Sequence, residues 1–267
     1  MFEFPQIDPI AFELFGILAV RWYAVAYLAG ILGGWWLMRR LVVGPFKHYN
    51  ISKTMVDDFI TWAIIGIILG GRLGYVFFYN AGYYLENPDE ILAIWQGGMS
   101  FHGGALGVIT ALFLFCARYK LNPVGFGDAL CAVVPIGLFF GRIANFINGE
   151  LVGRPTDSDF PFSMVFPHID ALPRHPSQLY EAATEGLLLF LIVQFLTWNT
   201  RAPEKTGLIS GAFLAGYGAF RFMVEITRMP DIQIGFLALG MTMGQILCIP
   251  MIIVGLGLML WRPLKTK

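Results

Sequence analysis

The chain has 267 residues, 57% hydrophobic and only 13% charged, with a mean hydropathy of +0.65 and a formal net charge of +0 at pH 7. Soluble domains carry roughly a quarter charged residues, so the composition excludes an ordinary soluble protein. The balanced total points to no acidic or basic partner, and no nucleic acid is expected. Three cysteines (Cys116, Cys131, Cys248) lie far apart in apolar stretches and draw neither a disulfide framework nor a metal knuckle, so they read as small buried hydrophobes.

In chain order, Met1–Glu13 carries three acids, two prolines and no Lys or Arg. It lacks the positive region of a signal peptide, and the first apolar segment is expected to stay as a helix. A bilayer core needs about 20 mostly apolar residues of helix. Seven stretches meet or approach this: Leu14–Leu37, Phe59–Phe78, Ser100–Ala117, Gly127–Phe146, Leu179–Trp198, Leu208–Ile226 and Phe236–Trp261. Polar punctuation separates them at Gly44-Pro45, Asn87-Pro88-Asp89, Asn122-Pro123, Asn148–Ser177, Ala202-Pro203-Glu204 and Met229-Pro230-Asp231. The fold expected is an all-α integral membrane protein of seven transmembrane helices. It forms one domain over 1–267, with a small extracytoplasmic cap at 148–177 between the fourth and fifth helices. No internal repeat is visible.

Eleven Lys and Arg fall in the first, third and fifth connections and the C-terminus, including Arg262, Lys265 and Lys267, against three (Arg154, Arg174, Arg228) on the other side. The bias places the C-terminus in the cytoplasm and the N-terminus outside.

The other four basic residues, Arg21, Arg72, Arg142 and Arg221, fall inside apolar segments. Inserting an arginine mid-helix costs about 2.5–3.5 kcal/mol, unless it snorkels or finds a carboxylate. For Arg21 and Arg72 a structural or interfacial role competes with a direct one. Arg142 and Asn145 are three apart at the outer end of the fourth stretch, before a helix break at Asn148-Gly149; Glu150, Gly153 and Arg154 follow in the cap. Tyr217, Arg221 and Glu225 recur at i, i+4 and i+8 on the sixth, where Glu225 can hold Arg221 by an ion pair. A guanidinium fork matches two phosphate oxygens at once, so these two arginines point to an anion site at headgroup depth.

His102 is flanked by Gly97-Gly98 and Gly103-Gly104, where another backbone or a ligand can approach closely. It is either a satisfied polar residue or a proton acceptor suited to neutral pH. His168 and His175 read as cap residues and His48 as cytoplasmic. Tyr75 and Tyr79 could face Arg72, though interfacial aromatic belts are the default, and Asp57-Asp58 suits a helix start. No zinc motif, P-loop or GxSxG elbow occurs, and neither metal nor cofactor is expected.

Several segments closely resemble bacterial prolipoprotein diacylglyceryl transferases. They are Gly70-Gly-Arg72-Leu-Gly-Tyr75, Gly97-Gly-Met-Ser-Phe-His102-Gly-Gly104, Gly141-Arg-Ile-Ala-Asn-Phe-Ile-Asn-Gly-Glu150 with Gly153-Arg154, Arg174-His-Pro-Ser-Gln-Leu-Tyr-Glu181 and Tyr217-Gly-Ala-Phe-Arg221. Arg21-Trp22-Tyr23 is similar to the family's first-helix motif. The resemblance implies transfer of a diacylglyceryl group from phosphatidylglycerol to the lipobox cysteine thiol of a prolipoprotein signal peptide, in the bacterial plasma membrane and in contact with bilayer lipid. It implies catalytic roles for His102, Arg142 and Arg221. It implies substrate-binding roles for Tyr23, Asn145, Glu150, Gly153, Tyr217 and Glu225, with support from Arg72, Asn148 and Arg154.

Two rival classes remain. An anion transporter would need a polar path to the cytoplasmic side, where the stretches are nearly free of ionisable groups. The other is a seven-helix receptor or retinal protein; the retinal case needs a lysine inside a span, and none of the seven stretches holds one.

Overall fold

The computed structural model describes residues 1–15, 18–230 and 235–260. The expected end of the seventh stretch at Trp261, the cytoplasmic Arg262, Lys265 and Lys267, and Asp231 lie outside the described residues.

The chain begins with three short strands, β1 (Phe2–Glu3), β2 (Ile10–Leu14) and β3 (Leu18–Arg21). β2 and β3 pair antiparallel, with Phe12 opposite Val20. The first apolar stretch is therefore not helical from Leu14, as expected from its hydropathy, but from Trp22, where α1 (Trp22–Leu41) starts. A short apolar run satisfies strand and helix alike, and Pro5 and Pro9 favour an extended entry. Arg21 ends β3 and is exposed.

Then come α2 (Lys53–Tyr79), α3 (Ala81–Glu86), α4 (Phe101–Tyr119), α5 (Pro123–Cys131) and α6 (Val134–Ile147). After two short strands, β4 (Met164–Val165) and β5 (Pro173–Arg174), come α7 (Ser177–Glu181), a π-helical stretch Ala182–Leu188, α8 (Leu189–Asn199), α9 (Leu208–Val224) and α10 (Met243–Leu260). Among the described residues, four helices are long and apolar enough to cross a membrane: α2, α4, the continuous Ser177–Asn199 rod and α10; α5 and α6, bent by 43°, count as a fifth if they form one span. α9 is a shorter apolar helix. Large side chains such as Phe77, Leu114, Phe195 and Ile253 stand exposed on these helices, a surface suited to lipid tails rather than water. The protein is a mostly helical membrane protein.

The chain divides into two units, 39–127 and 1–38 with 128–267. In the first, α2 and α4 approach through glycines four residues apart. A Cβ on Gly66 would stand 2.7 Å from Gly107 O, and one on Gly74 2.7 Å from the Gly103 Cα. Small residues let backbones touch where water supplies no driving force between helices. Gly103, beside His102, thus serves helix packing. Ser52 caps α2 by accepting from the Met55 N–H, so Asp57-Asp58 does not begin that helix as expected. A hydroxyl cap satisfies the free N–H groups one turn earlier, and Asp57 instead binds Arg39 at 2.8 and 2.9 Å.

In the second unit, the carboxylate of Asp128 is fully buried and accepts from Gly207 N (2.7 Å), Ser210 N (2.8 Å) and Ser210 Oγ (2.7 Å), tying α5 to the start of α9. The 148–177 segment is not purely irregular. β4 pairs in parallel with β1 and antiparallel with β5, giving the order β1-β4-β5. Phe4 stacks on Phe166, with ring centroids 5.1 Å apart, and meets Phe146 edge-on at 5.4 Å. His168 holds the Gly149 carbonyl at 2.7 Å through Nε2. The expected all-α class is thus supplemented by two short β pieces, both reaching back to the first 21 residues.

Candidate functional site

Three guanidiniums and three carboxylates converge where α6, the α7–π junction and the end of α9 meet. Arg142 reaches Glu181 Oε2 through Nε at 3.2 Å and Glu185 Oε2 through Nη2 at 3.4 Å. Arg221 Nη1 donates to Glu181 Oε1 in a very short contact and lies 3.7 Å from Glu185 Oε1; its Nη2 reaches Glu225 Oε2 at 2.7 Å. Arg228 joins with Nη1 donating to Glu181 Oε1 at 2.9 Å and Nε 3.9 Å from Glu225 Oε2. Glu181 and Glu185 are completely buried, and the three arginine side chains keep 17%, 14% and 12% of their surface. Glu181 is the hub, because all three cations touch it.

The local sequence explains the placement. Glu181 ends α7, and Glu185 lies in the π-helical turns that follow. Single π turns inside α-helices recur at functional sites. Gly186 lets this rod lie against α6: a Cβ there would sit 2.7 Å from the Phe139 Cα. Tyr217 precedes Arg221 by one turn on α9. Thr242, fully enclosed just before α10, donates to Glu225 Oε1 at 3.0 Å.

A second polar group adjoins the end of α6. Asn145, 7% exposed, donates to Glu150 Oε1 at 2.7 Å, and Asn148 reaches the same oxygen at 3.5 Å. The Tyr23 ring lies tilted beside that of Tyr27, with centroids 5.1 Å apart, and Tyr23 faces Asn145. The buried Gln178 donates to the Glu150 carbonyl at 2.6 Å, linking this group to the helix that carries Glu181.

Gly153 stands where three chain segments cross. Its N–H donates to the His175 carbonyl at 2.9 Å, it bridges to Arg228, and a Cβ would lie 2.7 Å from Thr227 O. Any side chain would part these segments. Arg154 donates from Nε to the Arg228 carbonyl at 2.7 Å and covers the Phe236 ring at 5.1 Å. Arg174 donates to the Gly153 carbonyl at 3.1 Å and to Asp170 at 3.1 and 2.5 Å. That bond holds the Asp170 carboxyl below its ordinary range, and burial lowers the His175 imidazole.

The sequence-derived candidates thus separate into two sets. Arg142, Arg221 and Glu225 share the charged cluster, and Tyr23, Asn145, Asn148, Glu150, Gly153, Arg154 and Tyr217 lie in the same unit. Arg72 and His102 belong to the 39–127 unit. Arg72, 1% exposed, is fastened to main-chain oxygens: Nε to Ile91 (2.7 Å), Nη1 to Gly97 (2.5 Å) and Gly98 (3.4 Å), Nη2 to Glu90 (2.7 Å). The ring beneath it is Tyr84, at 5.1 Å, while Tyr75 and Tyr79 stack on each other at 5.7 Å. His102 is exposed on the first turn of α4, beyond the Ser100 cap, with Phe101 edge-on at 5.7 Å.

Sequence reasoning overlooked Glu185 and Arg228 and treated Glu181 only as part of a motif. The signal was present: Glu181 and Glu185 are four apart inside the apolar stretch Leu179–Trp198. A buried carboxylate is as costly there as an arginine.

A family model described as prolipoprotein diacylglyceryl transferase matches residues 9–261. A phosphatidylglycerol–prolipoprotein diacylglyceryl transferase of Rhodospirillum rubrum is 56% identical over 253 residues, covering 95% of this chain and 91% of the relative. The protein of that name from Rhodospirillum centenum is 51% identical, covering 97% and 93%. The one from Rickettsia felis is 55% identical, covering 94% and 95%. The chain belongs to the prolipoprotein diacylglyceryl transferase family.

Proposed function

We propose that the charged cluster grips the phosphate of phosphatidylglycerol while its diacylglyceryl group passes to the lipobox cysteine of a prolipoprotein signal peptide. The activity itself follows the family. The observation that carries the site assignment is the meeting of Arg142 and Arg221 on one carboxylate, Glu181. Burying six charges costs several kcal/mol per ion, and such clusters are seldom retained for stability alone. Carboxylate and phosphate both present paired oxygens to a guanidinium fork, so forks set for Glu181 also suit a phosphodiester.

In the reaction the cysteine sulfur attacks the glycerol carbon that bears the phosphate. The carbon–sulfur bond forms, the carbon–oxygen bond breaks with its electron pair going to oxygen, and glycerol phosphate departs carrying an extra negative charge. Arginines that hold this group more tightly as the charge grows lower the barrier. A thiol has a reference pKa of about 8.5 and reacts as thiolate, so its proton must leave. His102 is the proposed acceptor. Tyr23, Asn145 and Glu150 are proposed to bind the substrate beside the end of α6; Tyr217 and Glu225 do so along α9, with Gly153 shaping the rim and Asn148 and Arg154 in support. Arg72 supports the fold of its own unit.

The chain is proposed to cross the bacterial plasma membrane seven times, through α1, α2, α4, α5–α6, α7–α8, α9 and α10. The N-terminus and the 148–177 cap lie outside and the C-terminus in the cytoplasm, following the basic-residue bias. Purified protein should move a labelled diacylglyceryl group from phosphatidylglycerol to a lipobox peptide. Absence of transfer from the folded protein sinks the assignment.

A further inference from the structure

Arg228 follows α9 in a connecting loop, yet its guanidinium enters the cluster. Its main chain is fastened on both sides. The Arg228 N–H donates to the Glu225 carbonyl at 3.3 Å, its carbonyl accepts from Arg154 at 2.7 Å, and it bridges to Gly153. The side chain is therefore a fixed counter-charge, 2.9 Å from Glu181 Oε1.

That position matters because the cluster is balanced, with three cations against three carboxylates when all are ionised. A phosphodiester brings one more negative charge. It competes first with Glu181, which occupies both Arg142 and Arg221. Glu181 has no exposed surface, so once displaced it cannot turn to water. A buried carboxylate without a cation is strongly disfavoured. Resting on the phosphate-site reading above, we propose that Arg228 is a positioning residue. It keeps the Glu181 carboxylate when lipid phosphate takes over the forks of Arg142 and Arg221. Without it, Glu181 would stay on the two arginines and act as a built-in competitor of the substrate.

The test uses the full chain in phosphatidylglycerol-containing nanodiscs, with initial rates and equilibrium phosphatidylglycerol binding measured for wild type, R228Q, R228K, E181Q and R228Q/E181Q. R228Q should raise the KM and the Kd for phosphatidylglycerol about tenfold, with a much smaller change in kcat. R228K, which keeps the charge, should stay within about threefold of wild type. In R228Q/E181Q the KM should fall back to that of E181Q alone, because the competitor has gone. A purely structural role for Arg228 would lower kcat or the folded fraction and give no such rescue, overturning the proposal. A wild-type KM in folded R228Q would overturn it too. If R228Q does not fold, the charge-balanced double variant decides. A KM matching E181Q supports the proposal, and a KM about tenfold higher shows that Arg228 grips phosphate directly. Wild-type protein that binds phosphatidylglycerol but transfers nothing defeats the reaction assignment and leaves the binding comparison to judge Arg228.

Discussion

Arg72 and the pair Arg142–Arg221 are all arginines set within apolar helices, and they meet opposite kinds of partner. Arg72 is saturated by carbonyls of residues 90–98 and stacked on Tyr84. These neutral acceptors belong to the chain itself and fix the path of the segment between α3 and α4. Arg142 and Arg221 are held by carboxylates, which an incoming anion of similar shape can replace. A buried arginine bound to main-chain oxygens is a clasp, whereas on the phosphate-grip proposal one bound to acids is a socket with a stand-in already seated.

The sharpest way to break this contrast is to remove each arginine in turn. Arg142→Ala or Arg221→Ala should lower diacylglyceryl transfer by about 10²–10³-fold, as for loss of one oxyanion donor, while the protein still folds and inserts. Normal turnover by either variant would end the phosphate-grip reading. Arg72→Ala should do the reverse. It leaves main-chain acceptors buried and unpaired, at a cost of about 2–3 kcal/mol of stability. The expected readouts are a lower Tm and faster proteolysis within 81–100, with nearly normal turnover by the molecules that remain folded.

His102 sharpens the comparison because it is an exposed residue of the unit that holds Arg72. His102→Gln should slow transfer about a hundredfold and remove the acidic limb of the pH–rate profile. An unchanged profile would leave it a positioning residue. The smallest effect belongs to Asp170, an acid whose arginine partner lies in the cap. Its folded-state carboxyl titrates below the reference value of 3.8, so the pairing stabilises the fold above that value and is lost as pH falls through the folded one. Asp170→Asn should flatten the acid edge of the melting curve slightly. A melting curve unchanged at every pH would deny the pairing any role.

What could be read from the residues follows from the cost of polarity in lipid. Apolar length located α4 to within two residues and found α2 and α10, though it began α2 six residues late and α10 seven residues early, and the same cost singled out Arg142 and Arg221. It missed Glu181 and Glu185 because cations alone were weighed. It missed the β2–β3 hairpin because hydropathy does not distinguish a strand from a helix over a dozen residues. Two-residue strands joined across some 160 positions, as β1 and β4 are, leave no periodic trace in the sequence.

The long-range pairing of β1 with β4 bears on how the chain threads the bilayer. Residues that share a ladder must lie on one side of the membrane, so the crossings between Glu3 and Val165 must be even in number. On the proposed topology α2, α4 and the bent α5–α6 make three, and α1 is the fourth. The bridge from Gly153 to Arg228 asks for the same parity, which the proposed crossings by the rod Ser177–Asn199 and the shorter α9 would satisfy. Adding α10 to the proposed crossings makes the count odd, which is what the proposed topology, with its ends on opposite sides, requires.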